Sequence, residues 1–226
     1  PKGGLPVCER LADRVMSNFP NVLPKAQWVG NPLREHFLTC LEPSVRFSSR
    51  AGPLRIVVVG GSLGAQVLNE MVPKALALIP ADQRPQVLHQ GGAKHLHALQ
   101  NHYAAAGVQA ELVTFIDDTA TAFAQADLVI CRAGASTVSE LAAIGVPALM
   151  VPFPHAVDDH QTANAQFLVQ HNAAWLKQQT ELSATQLADF LQQLDRTQLL
   201  DVLDQVKAGV LAPAEAAVRI GELPDS

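Results

Sequence analysis

The ten residues from Cys131 to Glu140 combine a glycine, several small side chains and one carboxylate. They follow the largely apolar run 126–130, which is typical of a buried strand, and they lead into a helical pattern. Gly134 allows a tight turn, and the small residues after it leave the unpaired amides of a helix N-terminus open to an anion. Glu140 lies one turn into the helix, where a carboxylate suits a sugar hydroxyl better than a phosphate. The stretch therefore predicts a nucleotide-sugar or dinucleotide site.

The same stretch also fits a purely structural role. Thr137 and Glu140 have the Thr-x-x-Glu spacing of a capping box, in which both side chains bond to backbone amides at a helix start. Both interpretations stay open here, because one glutamate can do either job in different states.

A second glycine-rich segment, Gly60–Ala65, follows an apolar strand and opens a helix. Its glycine spacing differs from the G-x-G-x-x-G dinucleotide fingerprint, and it lacks the Gly-Lys-Ser/Thr of a P-loop. It does match G-x-S-x-G, which would make Ser62 the nucleophile of a serine hydrolase. Too few strand-like runs precede Ser62 for that fold, so we favour a tight turn whose amides and Ser62 hydroxyl meet a phosphate. A simple strand-to-helix turn is the alternative.

Two further polar segments follow predicted strands. Backbone groups of residues 115–118 could contact a base edge, although the side chains of Asp117 and Asp118 fit better as caps of the next helix. In residues 152–164, the amides of Gln161 and Asn164 suit sugar hydroxyls. The aspartates and histidines of that segment do not have the spacing of a metal site.

The elements that must position these residues are short apolar runs alternating with helical patterns from residue 54 onward. Apolar strands without alternation favour a parallel sheet covered on both faces, and the strand–helix–strand order predicts a doubly wound, Rossmann-like α/β domain. Ligands of such sheets bind at the carboxyl ends of the strands. The predicted strands are Arg55–Val59, Gln86–His89, Glu111–Thr114, Leu128–Cys131, Ala148–Val151 and Ala174–Leu176. The predicted helices are Ala65–Ile79, Lys94–Ala106, Thr119–Gln125, Thr137–Ile144, Gln161–Gln170, Ser183–Leu194, Thr197–Ala208 and Pro213–Ile220.

The first fifty residues carry weaker signals. Leu11–Phe19 has an amphipathic helix pattern, Gln27–Pro32 predicts a short strand ending in a turn, and Ser44–Gly52 predicts a polar linker. Trp28 and Trp175 are interpreted as packing groups. Four histidines cluster in sequence: His89, His95, His97 and His102. Three of them fall on a predicted polar helix with no carboxylate at ligand spacing, which indicates a solvated face.

Composition narrows the class of protein. A hydrophobic fraction of 48% over 226 residues is ample for a buried core. The net charge is −5 and no run of lysine or arginine forms a basic stripe, which argues against nucleic acid as a partner. The three cysteines form neither a metal spacing nor a disulfide framework, as expected in a reducing cytoplasm. Because the chain starts at Pro1 without a methionine, we expect a fragment of a longer protein.

Five motifs, taken together and in order, resemble those of the MurG family of bacterial N-acetylglucosaminyltransferases. The motifs are Val29–Arg34, Val57–Ala65, Phe115–Asp118, Cys131–Glu140 and Asp158–Ala165. The resemblance implies the C-terminal half of a two-domain GT-B fold that transfers N-acetylglucosamine from UDP-N-acetylglucosamine to lipid I, forming lipid II of peptidoglycan. The implied boundaries are residues 1–34 for the end of the acceptor domain, 35–212 for the donor domain and 213–226 for a helix that packs back on the first domain.

The resemblance also implies roles for individual residues. Arg34 would lie at the cleft near the donor, Ile116 would bond uracil through its backbone, Glu140 would bind the ribose hydroxyls and Gln161 the sugar hydroxyls. The amides of residues 135–139 would face the diphosphate, as would Ser62 and its loop. The full implied set is Arg34, Ser62, Ile116, Ala135, Ser136, Thr137, Val138, Ser139, Glu140 and Gln161, supported by Gly60, Gly61, Gly64 and Gly134.

The chain departs from the family pattern in two places. Leu63 stands where the family loop has a glutamine. The family's N-terminal glycine-rich loop is absent, and with it the histidine that is assigned as the family's catalytic base. We therefore expect no catalytic residue, metal or cofactor in this chain. We expect lipid I binding and membrane contact to occur only through the missing domain. The parent enzyme is expected to be peripheral on the cytoplasmic face of the plasma membrane. A non-catalytic nucleotide-binding module and a UDP-sugar 2-epimerase are the alternatives.

Overall fold

The computed structural model describes residues 15–17, 19, 26–28, 30–61, 65–154 and 159–202. Its centre is a six-stranded, all-parallel sheet in the order β5-β4-β3-β6-β7-β8. The strands are β3 (Arg55–Val59), β4 (Gln86–Gln90), β5 (Glu111–Val113), β6 (Leu128–Cys131), β7 (Ala148–Met150) and β8 (Ala174–Leu176). This sheet confirms the predicted doubly wound α/β fold and each of the six predicted strands, with ends that shift by one residue at most.

Helices cover both faces of the sheet. They are α1 (Glu35–Leu38), α2 (Pro43–Ser48), α3 (Gln66–Leu78), α4 (Leu96–Ala106), α5 (Thr119–Gln125), α6 (Ala135–Ile144), α7 (His160–Val169), α8 (Ala184–Gln193) and a last helix, α9, over residues 196–202. Predicted residues 203–208 and the predicted helix Pro213–Ile220 lie outside the described residues.

Alternating side chains of each strand supply two separate cores. Ile56 and Val58 of β3 pack in one core with α3 and α8, while Val57 and Val59 pack in the other with α5, α6 and α7. All four are at least 90% buried, so the central strand β3 is apolar on both faces, as a covered parallel sheet requires.

The beginning of the chain corrects one prediction and confirms part of another. Met16–Ser17 forms a short strand, β1, parallel to β2 (Gln27–Trp28), so the predicted helix Leu11–Phe19 is wrong at these residues. The strand predicted within Gln27–Pro32 is confirmed over its first two residues.

The predicted linker Ser44–Gly52 is instead largely helical, because α2 spans its first five residues. Pro43 takes the first helical position, which its fixed φ favours, and Phe47 is buried against Leu199 of α9. Arg46 adds four hydrogen bonds to backbone carbonyls, those of Leu41, Ala124, Ile144 and Gly145. Tertiary contacts thus stabilise a helix too short for its sequence pattern to reveal.

A buried ion cluster closes the amino edge of the sheet. Asp127 is fully buried, lies 2.7 Å from Arg50 and 3.0 Å from Arg196, and also accepts a hydrogen bond from the Arg55 amide. The cluster joins the end of α2, the start of β3, the start of β6 and α9, on the side of the sheet away from the strands' carboxyl ends.

Candidate functional site

A cleft of about 530 Å³ opens where β3 and β6 end. The parallel register sets Val59 opposite Cys131, so the loops that follow these two strands meet at the same edge. Five of the predicted site residues line the cleft: Gly60, Gly61, Gly134, Thr137 and Gln161. The structure therefore brings together segments that are a hundred residues apart in sequence.

The first wall of the cleft is the turn after β3. Gly61 has a φ of +82°, a conformation that side chains with a Cβ rarely adopt, so glycine is needed at this bend. Ser62 and Gly64 lie outside the described residues, and the phosphate contact of Ser62 stays a prediction.

The second wall is the start of α6. The helix begins at Ala135 with Gly134 as its N-cap, and no side chain caps it. Thr137 is therefore the third helical residue and not the cap, so the capping-box alternative is wrong. Without a capping side chain, the first amides of the helix keep their capacity to bind an anion.

The side chains of the first α6 turns point in different directions. Val138 and Ser139 are buried, and the Ser139 hydroxyl accepts a hydrogen bond from Asn31. Thr137 lines the cleft, whereas Ser136 is exposed. Any donor contact by residues 135–139 would thus be made mainly by backbone amides.

Glu140 is paired with Arg34 in this structure. Their closest atoms, Arg34 Nη2 and Glu140 Oε1, are 3.6 Å apart, and the same Arg34 nitrogen donates to the Thr119 hydroxyl at 3.1 Å. Burial raises the pKa of Glu140, and the Arg34 charge opposes that rise. The structure thus sets the two residues side by side and places a cation next to the carboxylate.

Ile116 follows β5 and is buried. Its amide donates to the Gln90 side-chain oxygen at 3.0 Å, so that donor is already used inside the protein. Nearby, Asp118 caps α5 by accepting from the Thr121 amide, as the sequence predicted.

The amides of α7 organise the third wall. Gln161 lines the cleft and accepts from the Phe153 amide at 2.9 Å through its side-chain oxygen, while Asn164 donates to the Ala133 carbonyl at 3.1 Å. Both side chains thereby fix the loops that follow β6 and β7.

Sequence analysis missed Arg132 as a site residue. Its guanidinium lines the cleft, donates to the carbonyls of Val151 and Pro152 and to Gln179, and lies 5.4 Å from the ring centre of Phe153. Burial lowers the pKa of Arg132, but a guanidinium stays protonated at neutral pH. A cation directly after a central strand was the available signal, because that position falls at the ligand edge of the sheet.

His89 lies on a strand, apart from the helix of the other three histidines, and does not share a solvated face with them. Its ring is fully buried, with Nδ1 3.0 Å from the Tyr103 hydroxyl and Nε2 3.1 Å from the Asn69 side-chain oxygen. Asn69 in turn donates to the Gly91 carbonyl. Of the other three histidines, His95 lines the cleft and His97 is exposed.

The described residues contain neither a group of metal ligands nor a membrane-spanning helix. In the part of the chain that the structure describes, no three His, Cys, Asp or Glu side chains are grouped so that they could hold a metal ion. Within the same residues, no helix has the length and apolar character needed to cross a membrane.

Comparison with known families decides the class of this fold. Residues 55–208 match the Glycosyltransferase family 28 C-terminal domain. The chain belongs to this family. The match begins at β3 and covers the whole six-stranded sheet, including both glycine-rich turns of the cleft.

Relatives of this family 28 chain carry one common name. A UDP-N-acetylglucosamine--N-acetylmuramyl-(pentapeptide) pyrophosphoryl-undecaprenol N-acetylglucosamine transferase of Polaromonas naphthalenivorans is 62% identical over 201 residues, covering 89% of this chain and 56% of the relative. The enzyme of that name from Ralstonia nicotianae is 56% identical, covering 96% and 60%. The chain thus spans little more than half the length of these relatives.

A solved structure supports the same family 28 assignment. The crystal structure of Acinetobacter baumannii MurG superposes with a TM-score of 0.82 at 35% identity, covering 97% of this chain and 63% of that one. Together with the family match, it confirms the expected Rossmann-like C-terminal half of a GT-B fold.

Proposed function

We propose that this chain is the donor-binding half of a transferase that moves N-acetylglucosamine from UDP-N-acetylglucosamine to lipid I. The observation that carries the proposal is the uncapped start of α6, which faces the Gly60–Gly61 turn across the cleft and has Glu140 one turn further in. Both the relatives' names and the family 28 match support this function. The division into residues 1–34, 35–212 and 213–226 is part of the same proposal.

The diphosphate would bind between the two glycine-rich turns. The first amides of α6 have no intrahelical partner, and the helix dipole adds a partial positive charge at the same end. Arg132 supplies a full positive charge in the cleft. The Ser62 hydroxyl would join these groups from the opposite turn.

The nucleoside and the sugar would bind on either side of the diphosphate. Glu140 would accept hydrogen bonds from the ribose hydroxyls, with Arg34 moving aside or sharing the carboxylate. Since the Ile116 amide is engaged by Gln90, its carbonyl is the group that remains to accept from the base. Gln161 would contact the sugar hydroxyls at the other end.

The reaction we propose is an inverting transfer without a metal ion. The acceptor hydroxyl attacks the anomeric carbon and loses its proton to a base on the first domain, as the bond to the UDP oxygen breaks. Backbone amides and Arg132 stabilise the charge that develops on the leaving diphosphate, an effect worth several kcal/mol in comparable sites. We propose that the chain alone binds donor without turnover, and that the parent enzyme contacts the cytoplasmic face of the membrane through the other domain.

The test is a calorimetric titration with UDP-N-acetylglucosamine, with UDP-glucose, ADP-glucose and NAD as comparison ligands. We expect UDP-N-acetylglucosamine to bind best and Glu140→Ala to weaken it at least about tenfold, because hydrogen bonds to a charged group are lost. Glu111→Ala, an exposed carboxylate at the start of β5, is the matched control and should leave affinity unchanged. Equal binding of NAD by the full-length gene product, or an unaffected Glu140→Ala variant, would contradict the proposal.

A further inference from the structure

Asn31 connects the segment before α1 to the first turn of α6. Its side-chain nitrogen donates to the Ser139 hydroxyl at 2.7 Å and lies 3.2 Å from the Ala135 carbonyl oxygen. Asn31 and Ser139 are 7% and 3% exposed, so water does not replace these bonds. One side chain therefore binds two α6 residues, one turn apart, across more than a hundred residues of sequence.

The start of α6 depends on such outside contacts. Gly134 is its N-cap and provides no side chain, so the helix lacks the usual local device that fixes a first turn. Asn164 holds the preceding loop at the Ala133 carbonyl, but it does not reach the helix itself. Within the part of the chain that the structure describes, Asn31 supplies the side-chain hydrogen bonds that fasten residues 135 and 139.

We propose that Asn31 is a positioning residue for the donor diphosphate, acting through Ser139 and the Ala135 carbonyl. The inference rests on the proposed function, in which the first α6 amides bind the diphosphate. Amides stabilise an anion only when they are aimed at it, and a small rotation of the first turn would misalign all of them together. The base contact of Ile116 comes from another loop. Glu140, which would bind the ribose, lies in the second turn of α6 and is also paired with Arg34, so neither nucleoside contact depends on the aim of the first-turn amides.

The structure also accounts for Ser139 in this way. The resemblance predicted it among the donor-binding residues, yet its hydroxyl faces Asn31 from a buried position. Ser139 would thus affect the donor through the helix position and not by contact.

The test compares UDP with uridine, because only UDP carries the diphosphate. Binding of each is measured by calorimetry on the full-length gene product for the parent protein, Asn31→Ala and Ser139→Ala. We expect Asn31→Ala to weaken UDP about tenfold and uridine less than about twofold, since the buried Ser139 hydroxyl and the partly buried Ala135 carbonyl lose their donor. Ser139→Ala should weaken UDP by a smaller factor, because the contact with the Ala135 carbonyl remains, and the double variant should be no worse than Asn31→Ala.

The control is Arg196→Ala, which removes a partly buried ion-pair partner of Asp127 at the opposite edge of the sheet. It should lower the unfolding temperature while keeping the ratio of UDP to uridine affinity. If Asn31→Ala weakens both ligands equally, or neither, the positioning role is refuted. If the parent protein binds UDP no more tightly than uridine, the diphosphate site of the proposed function fails instead.

Discussion

The buried ring of His89 lies between Tyr103 and Asn69, beneath the loop that follows β4. Burial lowers the pKa of His89 to about 3. The tautomer that satisfies both neighbours carries its proton on Nε2, donates to Asn69 and accepts from Tyr103 at Nδ1. The ring is therefore neutral in the folded protein at physiological pH.

This neutrality makes stability depend on pH. An unfolded histidine titrates near 6.5, so between about pH 6.5 and pH 3 the unfolded chain binds a proton that the native state lacks. The free energy of unfolding should then fall as pH is lowered, by up to about 1.4 kcal/mol per pH unit from this group. Urea titrations at several pH values should show a shallower slope for His89→Gln, whereas the exposed His97→Gln should keep the parent slope. An unchanged slope in His89→Gln would rule out this linkage.

Residue-level contacts were the hardest to predict. The glycine and the carboxylate of residues 131–140 could be placed at a helix start because their chemistry is local. The buried position of His89 could not be predicted, since a histidine at the end of an apolar strand gives the same sequence signal whether its ring faces solvent or two buried partners. Arg132 was missed for a similar reason: its three hydrogen-bond acceptors come from residues 151, 152 and 179.

Among the elements, α2 depends most on its tertiary contacts. It has six residues, fewer than an isolated helix needs, and its apolar anchor is Phe47, 3% exposed and packed against Leu199. Phe47 also lies under Arg50, whose guanidinium is 4.2 Å from the ring centre.

Phe47→Ala should therefore destabilise the protein by about 3 to 5 kcal/mol, because it removes a large buried side chain and leaves a cavity. Urea denaturation measures the change directly. Val45→Ala on the exposed side of the same helix is the control and should shift stability by less than about 0.5 kcal/mol. A small effect of Phe47→Ala would mean that α2 is not held by this contact.

Element predictions succeeded where the pattern of apolar residues was clear. All six strands of the sheet were found because parallel strands are apolar on both faces. The start of α6 was predicted at Thr137, two residues late, because Ser136 and Thr137 are favoured cap residues, whereas the observed N-cap, Gly134, has no side chain. The short elements β1 and α2 were missed because neither is long enough to show a period.

At the scale of the whole molecule, Asp127 ties together segments from residue 50 to residue 196. Its carboxylate is fully buried and bonds to two arginines and to the backbone of β3. The cluster lies at the amino edge of the sheet, opposite the proposed donor site, so stability and binding are served by different edges of one sheet.

Asp127→Ala should cost about 3 to 5 kcal/mol of unfolding free energy, because two partly buried arginines lose their counter-charge. UDP affinity of the folded fraction should be unchanged, as the cleft residues do not contact the cluster. Chemical denaturation and calorimetry on the same sample separate the two quantities. Asp201→Ala removes an exposed carboxylate and is the control. A drop in UDP affinity for folded Asp127→Ala would show that the amino edge and the donor-site edge of the sheet are coupled.

The order of the strands has a consequence for synthesis on the ribosome. The central strand β3 is the first of the six to be translated, yet one of its two partners, β6, ends 72 residues later, from Val59 to Cys131. At about 5 to 20 residues per second, the backbone edge of β3 waits roughly 4 to 14 seconds for that partner. During this interval the nascent chain exposes unpaired backbone groups on an apolar strand, a state open to pairing with other chains, so early shielding of the emerging polypeptide would favour correct folding.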